Sequence, residues 1–145
     1  MTTVNPFRLV PDVSVVLCRD DQVYLVLRTN TGYQDGMYGL PAGHKDEGES
    51  ARVGACREAY EEVGVIVDPD HLEFMCVIHR KDHDERVSFF FKATQWQGEP
   101  FNKEPEKHET SGWFALDALP QNIMPFVKHG LEAYAQGIFY AEMGW

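Results

Sequence analysis

One helix placed between two pairs of strands limits the fold of this chain more than any other feature. Ser50 is a good N-cap and Gly64 a good C-terminal stop, with no helix breaker between them, which predicts a helix over residues 51–63. Before it, "VSVVLC" and "VYLVLR" flank "RDDQ" and predict a β-hairpin within residues 12–28. After it, "LEFMCVIHR" and "RVSFFFKATQW" flank "KDHDE" and predict a second hairpin. This order indicates an α/β fold with helices against a mixed β-sheet.

The remaining segments predict loops and a second helix. "TNTGYQDGMYG", residues 29–39, predicts a loop whose two tyrosines either line a pocket or pack on the loop itself. "QGEPFNKEPEKHETSG" predicts a polar loop, longer than a compact domain tolerates without a function. "WFAL" predicts a short strand, "LPQNIMP" a turn, and "FVKHGLEAYAQG" an amphipathic helix. Because no linker or repeat interrupts these segments, residues 1–145 predict one domain.

Composition and charge narrow the possible partners. The chain has 43% hydrophobic residues, which is typical of a packed domain, and a formal net charge of −10. That charge disfavours nucleic acid polymers, since binding to their backbone depends on Lys and Arg, and a polyanionic small substrate would need a bridging cation. Three cysteines without CxxC spacing favour a reduced, cytoplasmic setting. We expect no membrane association and recognise no export signal, while the oligomeric state, including a homodimer, stays open.

Three glutamates crowd one face of the predicted helix. At about 100° per residue, Glu58, Glu61 and Glu62 lie close together, although like charges at such spacings repel. They form either a solvated helix face or a ligand set for a cation. The preceding turn, "LPAGHKDEGES", brings backbone carbonyls toward the helix, and converging oxygen donors suit Mg²⁺ or Mn²⁺. Gly54 in the same helix indicates a close approach by another group, because glycine there costs about 1 kcal/mol relative to alanine.

The spacing of these residues resembles a known family motif. Gly43, Glu49, Arg57-Glu58-Ala59, Glu61-Glu62 and Gly64-Val65 fill every fixed position of a pattern that resembles the complete signature of the Nudix hydrolases. The order of strands, loop and C-terminal helix is also similar to the Nudix-type α/β/α sandwich. The resemblance implies cleavage of a nucleoside diphosphate linked to another group, with Mg²⁺ or Mn²⁺ as cofactor.

The resemblance also implies roles for individual residues. Glu61 and Glu62 would bind metal together with the backbone carbonyl of Ala42, and Glu58 would be a metal ligand or the general base. Two further residues of the motif support this set. Arg57 would orient Glu58 through charge-assisted hydrogen bonds, and Glu49 would hold that arrangement or bind metal more weakly.

The substrate class follows from features outside the motif. The chain has neither the proline typical of relatives that favour ADP-ribose nor the tyrosine typical of dinucleoside polyphosphate hydrolases downstream of the motif. It therefore resembles MutT-like pyrophosphohydrolases, which implies conversion of a nucleoside triphosphate, including a modified or oxidised deoxynucleotide, to monophosphate and pyrophosphate. "WQGEPFNKE" resembles a loop that supplies one more metal-binding glutamate, here Glu104. Glu106 and Glu109 are alternatives to it, and a solvated acidic loop is the alternative for each.

Three further residues are candidate substrate contacts. His44 reaches a phosphate or hydrogen-bonds its own turn, and Arg80 offsets phosphate charge or forms a surface ion pair. Asn122 matches an asparagine that contacts the nucleobase in MutT-like relatives, or it caps the C-terminal helix.

Two other functions remain open: hydrolysis of a nucleotide sugar or similar diphosphate conjugate, and nucleotide binding without turnover. RNA decapping is disfavoured by the acidic charge.

Overall fold

The structure, a computed structural model, describes residues 4–145. Within that range the chain forms eight strands, two α-helices and one short 3₁₀ helix. Their order is β1 (Val10–Arg19), β2 (Gln22–Arg28), β3 (Tyr38–Gly39), β4 (Ala42–His44), α1 (Ala51–Val63), the 3₁₀ helix (Pro69–His71), β5 (Glu73–Lys81), β6 (Glu85–Ala93), β7 (His108–Ala115), α2 (Pro125–Ala135) and β8 (Tyr140–Met143). Neither α-helix in the described range is long and apolar enough to cross a membrane.

Both predicted hairpins are confirmed. The strands β1 and β2 pair antiparallel at Cys18 with Val23 and at Arg19 with Gln22. The turn between them places Asp20 at a φ of 56°, in the left-handed region that Asp tolerates better than most side chains. The strands β5 and β6 also pair antiparallel, through a short turn at residues 82–84.

The sheet is mixed, as expected, and it divides beside β1. Its strand order is β3-β2-β1-β6-β5-β8, with β4 paired to β1 and β7 paired to β2. The pairs β1–β6 and β5–β8 are parallel, and the others are antiparallel. β1 pairs with β2 only near its C-terminal end, whereas its first half pairs with β4, with Ser14 opposite Ala42. This change of partner opens a cleft between β2 and the first half of β1.

The two helices cover opposite sides of the sheet, which confirms the α/β/α sandwich. Successive side chains of β1 point to opposite faces, so Val15 packs toward α1 while Val16 packs toward α2. On the first side Ala55 and Val63 of α1 are fully buried. On the second side Val127 of α2 is fully buried. Burial of such aliphatic side chains stabilises the fold by about 1.5–3 kcal/mol each.

Four segments differ from the sequence-based expectation. The short strands β3 and β4 lie where a loop and a turn were predicted. The predicted loop over residues 97–112 ends early, because β7 begins at His108 and pairs along the length of β2. Its pairing with β2 holds polar residues such as Thr110 and Ser111 in a strand. Strand β8 was not predicted, although the apolar run "IFYAEM" contains its residues. It pairs with the outer edge of β5, a long-range contact that no local signal reports.

Candidate active site

The cleft beside β1 contains a cavity of about 910 Å³. Eight of the residues singled out in the sequence line it: Ala42, Gly43, His44, Glu58, Glu61, Glu62, Arg80 and Glu104. Glu49 and Arg57 lie behind this lining, in contact with it through hydrogen bonds. Residues from α1 and from the loop before β7 therefore meet at one place, as the motif predicted.

Helix α1 is held in place by the caps that the sequence predicted. The Ser50 side chain accepts a hydrogen bond from the backbone N–H of Val53, and Gly64 takes the left-handed conformation, with a φ of 75°, that ends the helix. With its apolar face buried, the helix carries Glu58 and Glu62 into the interior, where they are only 8% and 9% exposed. The alternative of a solvated glutamate face is therefore wrong for these two residues.

Glu62 is a buried carboxylate at the centre of the cavity wall. Its Oε2 accepts a hydrogen bond from the backbone N–H of Ala42 at 2.9 Å. Burial raises the pKa of Glu62 well above its usual value, and the nearby charges of Glu58 and Glu104 raise it further, while the Ala42 hydrogen bond opposes this shift. The charged form of Glu62 therefore needs a positive partner in the cavity.

Glu58 lies directly against the glycine of the preceding turn. A Cβ added to Gly43 would overlap the carboxylate of Glu58, so a side chain at that position would displace Glu58. Burial raises the pKa of Glu58 to about 7, although the hydrogen bond from Arg57 Nη1 at 2.8 Å opposes the shift. A carboxylate with such a pKa can accept a proton near neutral pH, which is the property of a general base.

Arg57 connects Glu49, Glu58 and Glu61. Together with Glu62 and Glu104 these residues form what we call the acidic wall of the cavity. Its guanidinium donates to Glu49 Oε1 at 2.8 Å, to Glu58 Oε1 at 2.8 Å and to Glu61 Oε2 at 3.2 Å. It also donates to the backbone carbonyl of His44 at 3.0 Å, which ties the turn before α1 to the helix. The hydrogen bond with Arg57 lowers the pKa of Glu49 to about 2. The geometry agrees with an orienting role for both residues.

Another group lies close to Gly54, as the place of this glycine in the helix indicated. A Cβ at Gly54 would lie 2.7 Å from Glu49 Oε1. Glu49 can reach Arg57 only because this position lacks a side chain. A glycine that weakens the helix therefore serves the arrangement of the acidic wall.

Of the three loop glutamates, only Glu104 lines the cavity. Lys107 Nζ lies 3.4 Å from its Oε2 and partly balances its charge. Glu106 and Glu109 are exposed and do not line the cavity. The structure therefore places Glu104, the first choice from the sequence, at the cavity, and neither of its two alternatives.

The donor chemistry of this wall fits a divalent cation. Within residues 4–145 no three His, Cys, Asp or Glu side chains lie close enough together to hold a metal ion as they stand. The wall nevertheless presents carboxylates of Glu58, Glu61, Glu62 and Glu104, the hard oxygen donors that Mg²⁺ and Mn²⁺ prefer. Burial disfavours the charged forms of two of them, and a cation would relieve that cost. Such an ion, when bound, neutralises phosphate charge and lowers the pKa of a bound water.

Arg80 belongs to the opposite wall, on the α2 side, and it is not a surface residue. Its side chain is 6% exposed, with Nη2 donating to Asp12 Oδ2 at 3.0 Å and Nε donating to Ser88 Oγ at 2.9 Å. Its guanidinium also lies 4.0 Å from the ring centre of Phe126. The expectation of a surface ion pair is therefore wrong: the ion pair exists, but it is buried. Arg86, a second partner of Asp12, lies 3.3 Å from His44 Nε2.

Sequence reasoning missed several cavity-lining residues, notably Asp12, Arg28 and His108. Arg28 ends β2 and donates from Nε to the carbonyl of Tyr33 at 2.8 Å. Burial and, to a smaller extent, the positive charges of Arg28 and Lys107 lower the pKa of His108 to about 4, so its ring is neutral at pH 7. Arg28 alone carried a signal, because a charged residue at the end of an apolar strand faces the adjoining loop.

The two loop tyrosines have different roles. Tyr33 lines the cavity, while Tyr38 packs edge-on against Phe114, with ring centres 4.8 Å apart. Tyr33 therefore matches the first alternative, whereas Tyr38 matches neither, because Phe114 belongs to β7 and not to the loop.

Asn122 does not cap α2. The N-cap of that helix is Met124, which has no side-chain capping bond, whereas the Asn122 amide donates to the carbonyl of Gly36 at 2.9 Å. The capping alternative is therefore wrong. Asn122 does not line the cavity either, so contact with the nucleobase stays a prediction.

Comparison with known proteins agrees with this arrangement. The chain is 24% identical to an 8-oxo-dGTP diphosphatase of Escherichia coli over 78% of this chain and 84% of that protein. It is 34% identical to a NAD-capped RNA hydrolase NudC of Pseudomonas aeruginosa over 78% of this chain but only 38% of that protein. Its structure is similar to the crystal structure of a MutT NUDIX hydrolase from Burkholderia pseudomallei, with a TM-score of 0.80, 31% identity, and coverage of 87% of this chain and 98% of the other.

The family assignment rests on most of the chain and on the arrangement of the acidic wall. The family model of the NUDIX domain matches residues 8–135, which include every element from β1 to α2. The chain therefore belongs to the Nudix hydrolase family, whose members act on phosphoric anhydride bonds.

Proposed function

We propose that the protein is a divalent-metal-dependent pyrophosphohydrolase. Its substrate is a nucleoside triphosphate, including a modified or oxidised deoxynucleotide, and its products are the monophosphate and pyrophosphate. The observation that carries the proposal is the convergence of Glu58, Glu61, Glu62 and Glu104 on one cavity. The Escherichia coli relative, an 8-oxo-dGTP diphosphatase matched over most of its length, supports the choice of substrate.

The residues of the acidic wall have distinct roles in this proposal. Glu61, Glu62 and Glu104, with the carbonyl of Ala42, hold the cation. Glu58 accepts the proton of the attacking water or binds the cation with them. Arg57 keeps Glu58 and Glu61 in place through the hydrogen bonds described above.

A second candidate function is hydrolysis of a diphosphate conjugate such as a nucleotide sugar or a dinucleotide. The similarity to the Pseudomonas aeruginosa NAD-capped RNA hydrolase favours a substrate of this kind. However, the chain spans less than half the length of that relative, and its net charge of −10 disfavours an RNA polymer. A triphosphate therefore remains the first choice.

A substrate screen separates these functions. The protein is incubated with nucleoside triphosphates, nucleotide sugars and NAD, with Mg²⁺ or with EDTA, and the release of phosphate, of pyrophosphate and of nucleoside monophosphate is measured separately, because conjugates yield two phosphomonoesters and no pyrophosphate. We expect pyrophosphate from triphosphates, with Mg²⁺ only. Turnover of conjugates alone would assign the second function, and binding without any turnover would make the protein a nucleotide-binding module. For glutamine variants of the cavity glutamates, Glu106→Gln is the matched control, because Glu106 is exposed and outside the cavity.

A further inference from the structure

The α2 side of the cavity combines apolar surfaces with a buried polar floor. Leu40, Met124 and Phe126 line this side, and each is largely buried in the core beneath α2. Asp12 and Ser14 line the floor between them, from alternate positions of β1 that share one face of the sheet. Apolar surfaces beside a few fixed polar atoms are typical of small-molecule binding sites.

Two oxygen atoms of this floor have no hydrogen-bond partner in the protein. Asp12 is 5% exposed and Ser14 is fully buried, and within the described residues neither Asp12 Oδ1 nor Ser14 Oγ accepts or donates a hydrogen bond. A buried polar atom left unpaired costs stability, so such atoms indicate a partner that arrives from outside the chain. We call Asp12 Oδ1 and Ser14 Oγ the acceptor pair.

The neighbours of Asp12 determine which of its oxygens is free. Arg80 Nη2 and Arg86 Nη1 both donate to Oδ2, at 3.0 and 3.3 Å. Arg80 is itself held by Ser88 Oγ and by the face of Phe126. The carboxylate therefore cannot turn without losing two charged partners, and Oδ1 is kept as an acceptor.

We propose that the acceptor pair recognises the nucleobase of the substrate, with Asp12 Oδ1 accepting a hydrogen bond from an exocyclic amino group of the base. This inference rests on the proposed nucleotide substrate and adds a specificity that the acidic wall does not determine. A carbonyl at the same place on the base would face Asp12 Oδ1 with a second acceptor. A base that carries an amino group at this place therefore binds better than the matched base that lacks it.

The test measures affinity, so that it does not depend on turnover. Binding of GMP and AMP, each against IMP, and of CMP against UMP is measured by calorimetry in Mg²⁺. We expect the amino-bearing member of at least one pair to bind about tenfold or more tightly, since a site that hydrogen-bonds an N–H group discriminates strongly against its absence. Equal affinities within every pair, or no measurable binding of any monophosphate, would overturn the inference. Absent turnover with preserved discrimination would instead overturn the proposed function alone.

Two variants assign the discrimination to the acceptor pair. In Asp12→Asn the donors Arg80 and Arg86 fix the amide oxygen at the Oδ2 position, so the amide NH₂ replaces Oδ1 and presents a donor. The preference for the amino-bearing base should then disappear or reverse. Ser14→Ala removes a hydroxyl with no protein partner, so we expect weaker binding without loss of thermal stability. Unchanged ratios in Asp12→Asn, together with unchanged affinities in Ser14→Ala, would contradict the assignment.

The matched control is Asp84→Asn. Asp84 is also a carboxylate partner of Arg86, at 2.7 Å, but both of its oxygens accept hydrogen bonds and it does not line the cavity. If the Asp12 variant acts only by weakening the arginine network, Asp84→Asn should change the base preference in the same direction. We expect it to leave the preference unchanged.

Discussion

The two walls of the cavity handle charge in opposite ways. On the α1 side, five glutamates outnumber the cationic side chains near them (the glutamates are Glu49, Glu58, Glu61, Glu62 and Glu104, and the cations are Arg28, Lys45, Arg57 and Lys107). On the α2 side, Asp12 and Asp84 balance Arg80 and Arg86 one for one. Surplus negative charge with buried members requires an ion from outside. The α2 side, which we call the balanced wall, requires no such ion, and its paired charges keep its side chains in fixed positions.

The walls also differ in which atoms remain free. In the acidic wall, the carboxylates of Glu58, Glu61, Glu62 and Glu104 line the cavity, and the pKa values of Glu58 and Glu62 are raised. In the balanced wall, one oxygen of Asp12 and the hydroxyl of Ser14 remain. The first wall is therefore suited to the phosphates and their cation, and the second to a neutral ring with hydrogen-bond donors.

The largest expected effect follows from breaking the acidic wall at Glu58. Glu58→Gln removes the carboxylate that can accept a proton while keeping its size and its contact with Gly43. We expect kcat to fall by about 10²–10⁴-fold, the usual contribution of a general base, with a smaller change in KM. Steady-state kinetics on the substrate found in the screen measures both. If only KM changes, Glu58 serves substrate binding rather than chemistry.

A substitution in the balanced wall should lower the stability of the fold rather than impair the reaction. Arg80→Met leaves Asp12 buried with Arg86 as its remaining cationic partner, and losing one member of a buried ion pair costs about 3–5 kcal/mol. Urea denaturation followed by circular dichroism measures this loss. Arg19→Met is the control, because Arg19 pairs with Glu99 at the exposed surface and should contribute little. Equal losses in the two variants would contradict the contrast between buried and exposed pairs.

His108 lies in the cavity between the walls and should make stability depend on pH. Its folded pKa of about 4 lies below the unfolded value, so the stabilisation is complete above about pH 6.5 and is lost as pH falls toward 4. The expected loss is on the order of 3 kcal/mol over that range. Urea titrations of the protein and of His108→Leu at several pH values measure it. The difference between the two proteins should change with pH, and a constant difference would contradict the lowered pKa.

Metal binding should distinguish the acidic wall from the balanced wall, because only the acidic wall is proposed to hold the ion. A ligand at 100 times its dissociation constant stabilises the native state by about 2.7 kcal/mol, so Mg²⁺ should raise the melting temperature. Glu62→Gln should abolish that rise, because it removes a proposed ligand, whereas Ser14→Ala should keep it. A rise that survives in Glu62→Gln would place the ion elsewhere.

The sequence predicted the acidic wall far better than the balanced one. Helix α1 and the turn before it are neighbours in the chain, so a local pattern from Gly43 to Val65 contains almost the whole wall. Asp12 and Arg80 are 68 residues apart and meet only because β1 pairs with β6, and β6 with β5. Strand β7 was predicted too short for a similar reason: "WFAL" predicted its second half, whereas its polar start at His108 is held by β2. Pairing between distant strands leaves no periodic signal in either segment.

The smallest expected effect concerns Asn122, which connects the turn before α2 to the loop after β2. Its amide donates to the carbonyl of Gly36 at 2.9 Å, and Ser is too short to keep that contact. Asn122→Ser should therefore lower the free energy of unfolding by about 0.5–1.5 kcal/mol, the net contribution of one hydrogen bond. Urea denaturation measures this loss, and turnover of purine and pyrimidine triphosphates is compared in the same variant. A changed base preference at unchanged stability would instead assign the amide to the nucleobase, because the contact with Gly36 would then contribute nothing to the fold.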